Sequence, residues 1–183
     1  MKSRKIDTLQ KLYHGTRHYH TRINLNYSSS YKDFGRGYYL TSHLNQAVQW
    51  AEGKVNNEPC WVFEYALQKV PDTFQIKELL KYDREWLDFV IAHRVYGQKD
   101  HLDIVYDRMA DNKFERLSAA VRSYANGGIT AEAALGILRF QREDRDQFCF
   151  KTEASIALLK RTRTYTKHTD GKWYAIETEV GRL

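Results

Sequence analysis

Apolar positions along this chain recur with two spacings, one suited to strands and one to helices. Cys60-Trp61-Val62-Phe63-Glu64-Tyr65-Ala66-Leu67, rich in β-branched and aromatic side chains, predicts the clearest strand. Shorter runs predict strands at 10–14, 38–41, 74–76, 102–106 and 146–152. Helical spacing of Ala47, Trp50 and Ala51 predicts a helix over 46–55, with Ser42 or Asn45 as its cap. Asn56-Asn57-Glu58-Pro59 ends it. Trp86, Leu87, Val90 and Ile91 lie between an acidic first turn and a basic end, so residues 83–94 predict a helix that complements its own dipole. Residues 113–140 read as a helical block broken at Asn126-Gly127-Gly128, with Thr130 capping its second half. Residues 153–160 predict another helix, and Asp170-Gly171 is the turn of a closing hairpin. Residues 1–9 and 15–31 carry no strong pattern. Strands and helices alternate without the regular rhythm of a doubly wound sheet, which gives an α+β fold class.

Composition narrows this picture. With 183 residues, 42% of them hydrophobic, the chain is long enough for one domain with a real core. A net charge of +6 is compatible with a polyanionic partner. Only Lys160 to Arg163 form a dense basic run, which reads as a solvated surface. The two cysteines, Cys60 and Cys149, sit in apolar contexts and read as buried thiols in a reducing cytoplasm. His14, His18 and His20 cluster without further ligands at metal spacing, so no metal is expected and His18 and His20 are placed at the surface. No run is long enough to cross a bilayer, and the chain is expected to be soluble and cytoplasmic, with no membrane partner.

Two short stretches carry candidate chemistry. In Asp33-Phe34-Gly35-Arg36-Gly37-Tyr38-Tyr39-Leu40-Thr41-Ser42 two glycines feed into two tyrosines. The glycines allow a turn at positive φ or the approach of another molecule, and the strand period sets Tyr38 and Leu40 on one face, Tyr39 and Thr41 on the other. One tyrosine then packs inward while the next looks into a cleft. A tight turn followed by an aromatic strand is the plainer reading of the same residues. Leu12-Tyr13-His14-Gly15-Thr16 is an apolar strand that delivers an imidazole beside exposed backbone.

Together these stretches resemble the first two signature blocks of the ADP-ribosyltransferase superfamily, in its His-Tyr-Glu branch. The likeness extends to a bacterial family known as domain of unknown function 3990, through YHGT, DFGRGYYLTS with QAVQWA, YDREWLDFV, LDIVYDRMADN and DQFCFKTEASIALL in order over residues 12–159. Tyr106-Asp107-Arg108 departs from it where a Gly-Pro turn is expected. The resemblance implies a split β-sheet core around a cleft for NAD, spanning 10–160 of a single domain 1–183, with a helical insertion at 113–140 and a hairpin-like extension at 161–183. That extension reads as a partner-binding strand pair or an edge cover.

The same resemblance implies roles for particular residues. His14 bonds the adenosine ribose, the Gly15 backbone meets the nicotinamide amide, and Tyr39 stacks on the nicotinamide ring. Thr16, Phe34, Gly37, Tyr38 and Thr41 complete the NAD-binding set. The third catalytic position, normally a glutamate at the start of a late strand, falls on Gln147, whose amide can bond a ribose hydroxyl but neither stabilises a cation by charge nor takes a proton. Glu143, Asp144 and Asp146 lie just upstream, either as a solvated acidic turn or as a source of the missing carboxylate, and Glu153 suits the dipole of the next helix. The implied activity is NAD-dependent mono-ADP-ribosyl transfer to a protein or nucleic-acid acceptor with release of nicotinamide. It is toxin-like, as in bacterial conflict or phage defence, with an antitoxin as partner. The alternatives are a module that binds NAD or ADP-ribose without turnover, or a protein-interaction domain.

Overall fold

The computed structural model describes residues 4–53, 58–108, 114–138 and 145–177. The fold is mixed α+β. Its strands are β1 (Lys11–Thr16), β2 (Tyr38–Leu40), β3 (Cys60–Leu67), β4 (Ile76–Leu79), β5 (Ile104–Arg108), β6 (Asp146–Phe150), β7 (Leu159–Lys167) and β8 (Trp173–Glu177). Its helices are α1 (Leu44–Glu52), α2 (Arg84–Arg94), α3 (Phe114–Ala125), α4 (Ala131–Leu138) and the single turn α5 (Glu153–Ile156). The chain divides into two compact units, one of residues 1–23, 39–74 and 153–183, the other of 24–38 and 75–152.

In the first unit β1, β3, β7 and β8 form an antiparallel sheet in that order. Strand β3 matches its predicted bounds because its alternation serves both faces of the sheet. Cys60 and Val62 pack with Ala47 and Ala51 of α1, while Trp61, Phe63 and Tyr65 occupy the opposite side. Helix α1 lies so close to β1 that a Cβ at Gly15 would stand 1.9 Å from the Ala47 carbonyl oxygen. Arg17 closes the end of α1, donating to the Ala51 and Glu52 carbonyls. Its start differs from expectation: the N-cap is His43, whose own side chain makes no capping bond, and Thr41 Oγ1 accepts from the His43 N–H. Residues 5–8 also differ, forming a short 3₁₀ turn that buries Ile6.

The largest departure lies at 153–160. Instead of a helix through Lys160, α5 stops at Ile156 and β7 begins at Leu159. The Thr and Tyr alternation of β7 favours a strand, and pairing along the length of β3 satisfies its backbone in a way an isolated short helix cannot. Residues 161–167 are therefore an interior strand, with β3 on one side and β8 on the other. The register slips within this pairing: Glu64 faces Arg163 but Tyr65 faces Arg161, which leaves Thr162 as a bulge. The bulge inverts the alternation, so Arg161 and Arg163 project from opposite faces of the sheet. Lys160 is exposed, but Arg161, Thr162 and Arg163 are half-buried, which corrects the expectation of a uniformly solvated basic run.

In the second unit β4 and β5 run parallel, joined through α2, and β5 pairs antiparallel with β6. Asp83 caps α2 by accepting from the Trp86 N–H, and the apolar face of the helix buries Trp86, Leu87, Val90 and Ile91 as its spacing predicts. Buried Trp86 donates through Nε1 to Asp107 at 2.7 Å. Helices α3 and α4 pack with α2, with Gly127 at φ 72° in the break between them and Thr130 accepting from the Ala133 N–H. The described part of the expected 146–152 strand is shorter, ending at Phe150. Asp146 is buried, which overturns its reading as part of a solvated turn, while Glu143 and Asp144 lie outside the described residues.

Lys151 ties this unit together by bonding Asp100 at 2.6 Å and the Phe34 carbonyl oxygen. Burial alone would raise the Asp100 carboxyl, but bonds from His93, Lys151 and the Leu102 N–H hold it down at about 2.

Replacing Gly15 by Ala forces α1 away from β1 and is expected to cost about 1–3 kcal/mol or more in urea unfolding; wild-type stability would refute the close contact. The depressed Asp100 carboxyl stabilises the fold above its unfolded value of 3.8, and that contribution disappears as pH falls through about 2. Asp100→Asn should therefore be less stable than wild type by about 2 kcal/mol at neutral pH, with the gap closing on acidification towards the lower value. A gap independent of pH would exclude the linkage.

Candidate functional site

The sheet face that carries Phe63 and Tyr65 gathers the chemistry of the first unit. His14 on β1 pairs with Phe63 in register, and the two rings lie nearly parallel at 6.4 Å between centroids. The loop after β1 folds back so that His20 meets Phe63 edge-on at 4.7 Å and His14 at 5.7 Å. Tyr19 adds edge contacts to Trp61 and Phe63. His20 is half-buried and packed, which corrects its placement as a surface residue; His18 is exposed as expected. Burial lowers the His20 pKa, against the bond to the His18 carbonyl and with help from the Arg161 charge, so its ring favours the neutral form.

His14 and Tyr39, drawn from separate sequence blocks, meet directly. His14 Nδ1 lies 2.7 Å from the Tyr39 carbonyl oxygen. A carbonyl only accepts, so Nδ1 carries the proton and Nε2 is the acceptor nitrogen of the neutral ring. The bridge Tyr13–Thr41 fixes this approach, with N–H to carbonyl distances of 2.8 and 2.9 Å in the two directions. Thr41 and Tyr39 are both buried. Thr16 exchanges hydrogen bonds with the His18 backbone, closing the turn that returns His20 to the sheet.

The remaining residues singled out in sequence belong to the second unit. Phe34, Gly37, Tyr38 and Gln147 are all buried there. Gly35 adopts φ 75°, as a turn demands, whereas a Cβ at Gly37 would fall 2.3 Å from Cys149 Sγ. The approach that Gly37 permits is thus made by β6 of the protein itself, and Gly15 serves α1 in the same way. Tyr38 and Tyr39 are both buried, at 8% and 9% exposure.

Arg161 escaped the sequence reading. Its guanidinium lies 3.9 Å above the centre of the Phe63 ring and donates to the Tyr65 hydroxyl at 3.2 Å. It also lines a cavity of about 400 Å³ with Arg22, Tyr65 and Glu153. The only signal in the sequence was the alternation Arg161-Thr162-Arg163-Thr164, compatible with a strand. Glu64, the buried carboxylate of β3, projects from the other face. Burial would raise it, but bonds from Lys11, Tyr165 and Thr162 bring its pKa below the usual value, so it is a satisfied structural anion.

A two-sheet α+β chain with an imidazole, aromatic and guanidinium face is the class of protein that these observations define. It belongs to the family described as "Protein of unknown function (DUF3990)", which matches residues 10–161. Comparison with curated proteins and with solved structures gives no match. Among the described residues no helix is long and apolar enough to cross a membrane.

Nitrogen NMR of ¹⁵N-histidine-labelled protein should show the neutral His14 ring protonated at Nδ1; protonation at Nε2 alone would contradict the bond to Tyr39.

Proposed function

We propose that this protein is an ADP-ribosyltransferase-like enzyme that breaks the bond between nicotinamide and ribose in NAD and transfers ADP-ribose to a macromolecule. The observation that carries the reading is the hydrogen bond from His14 to the Tyr39 carbonyl, which joins the two motifs that resemble the superfamily's first blocks. A histidine held in one tautomer by its Nδ1–H bond to Tyr39 presents Nε2 as an acceptor in a fixed direction for a ribose hydroxyl, and the surrounding rings offer apolar area for a base. In this reaction nicotinamide departs with the electron pair of the broken C–N bond. The ribose carbon, cationic in character, is captured by an acceptor oxygen or nitrogen, whose proton leaves to solvent or a base. At Gln147, which the resemblance makes the third catalytic position, an amide can bond a ribose hydroxyl but supplies no charge. The toxin-like role and an antitoxin partner belong to the same proposal, and the acceptor is a protein side chain or a nucleic-acid base.

That same amide favours a second reading, a module that binds NAD or ADP-ribose without turnover, since a charged carboxylate is the group best suited to the cationic transition state.

Incubation with labelled NAD and cell lysate should give labelled macromolecule and free nicotinamide. His14→Ala should reduce both by about 100-fold or more. Tyr39→Ala should do the same while Tyr39→Phe, which keeps the ring face, retains most activity, and Gln147→Glu should raise it. Folded alanine variants with full activity would dismiss the site, and binding without nicotinamide release would favour the second reading.

A further inference from the structure

Outside the His14 cluster proper, the cavity of about 400 Å³ in the first unit is of a size that takes a small ligand. Two cations, Arg22 and Arg161, share its lining with one carboxylate, Glu153, and an apolar wall that includes Ile156 and Leu159. Arg161 differs from an ordinary surface cation. Its guanidinium lies over the Phe63 ring and donates to the Tyr65 hydroxyl, so the side chain is held in place. An arginine held in this way presents its other donors to a ligand with little further loss of rotamer freedom. The bulge at Thr162 is what turns Arg161 to this face while Arg163 faces Glu64 across the sheet. The same guanidinium is close enough to His20 to depress its pKa further, and it lies over Phe63, the strand neighbour of His14, so the arginine that lines the cavity also borders the histidine cluster.

We propose that Arg161, assisted by Arg22, binds the diphosphate of a dinucleotide in this cavity, and that Glu153 sets its selectivity. The inference rests on the reading that the first unit takes NAD. Guanidinium forks match phosphate oxygens in charge and geometry. The Glu153 carboxylate opposes anions in proportion to their charge. A diphosphate esterified at both ends carries less negative charge than inorganic pyrophosphate and brings ribose hydroxyls that can donate to a carboxylate. Arg161 and Glu153 therefore act in opposite directions on simple anions and together favour the nucleotide.

Calorimetric titration of the full chain with NAD and, separately, with inorganic pyrophosphate tests this. Arg161→Gln should weaken both ligands by about tenfold or more, Arg161→Lys by less, and Arg22→Gln should weaken both from a loop position where folding is not at stake. Glu153→Gln should strengthen pyrophosphate binding more than NAD binding. Circular dichroism of each variant establishes that it is folded. If wild type binds NAD and folded Arg161→Gln and Arg22→Gln bind it equally well, the diphosphate assignment is overturned while the NAD reading stands. Pyrophosphate binding that depends on Arg161, without any NAD binding, overturns the dinucleotide assignment and removes the NAD reading, leaving a site for simple phosphates. Binding of neither ligand by wild type removes both.

Discussion

One buried carboxylate holds the first sheet in register. Glu64, at the middle of β3, takes a hydrogen bond from Tyr165 at 3.0 Å and from Thr162 at 3.1 Å, both on β7, and an ion pair from Lys11 on β1 at 3.0 Å. Three strands thus converge on a single anion. Loss of these donors would leave a buried carboxylate short of partners, which destabilises the fold. A slipped register would separate the carboxylate from its donors and turn every side chain of the strand to the wrong face.

The local consequence is the bulge. Thr162 stands as the extra residue of β7, bonded to the carboxylate and to the Glu64 carbonyl oxygen, and the inversion it introduces divides two arginines between two environments. Arg163 faces Glu64, on the side of the sheet that packs α1. Arg161 faces Tyr65, on the side where His14 and His20 surround Phe63. A structural anion on one face and a cationic, aromatic surface on the other are therefore products of one pairing.

The motifs that drew attention in the sequence have mixed physical origins. YHGT stood out through its resemblance to a known signature block, and its histidine meets the Tyr39 carbonyl. The glycine pair was legible as a turn at positive φ or a close approach, and each glycine serves one of these. Gly35 turns the chain, and Gly37 makes room for Cys149 and the Phe150 carbonyl oxygen. Gly15 likewise gives way to α1. In all these cases a short-range pattern announces that something comes close without saying what.

The sequence by itself determined the α+β class, the bounds of β3 and the buried face of α2. These depend on spacing within a few residues, on propensity and on the chemistry of single side chains. Tertiary structure alone decided that the arm of the closing hairpin begins as early as Leu159 and lies inside the sheet, that both tyrosines of the glycine motif are buried, and that Arg161 lies over the face of Phe63. Each of those outcomes turns on which distant strand supplies the hydrogen bonds, and a pairing between β3 and β7, about a hundred residues apart in the chain, has no local trace.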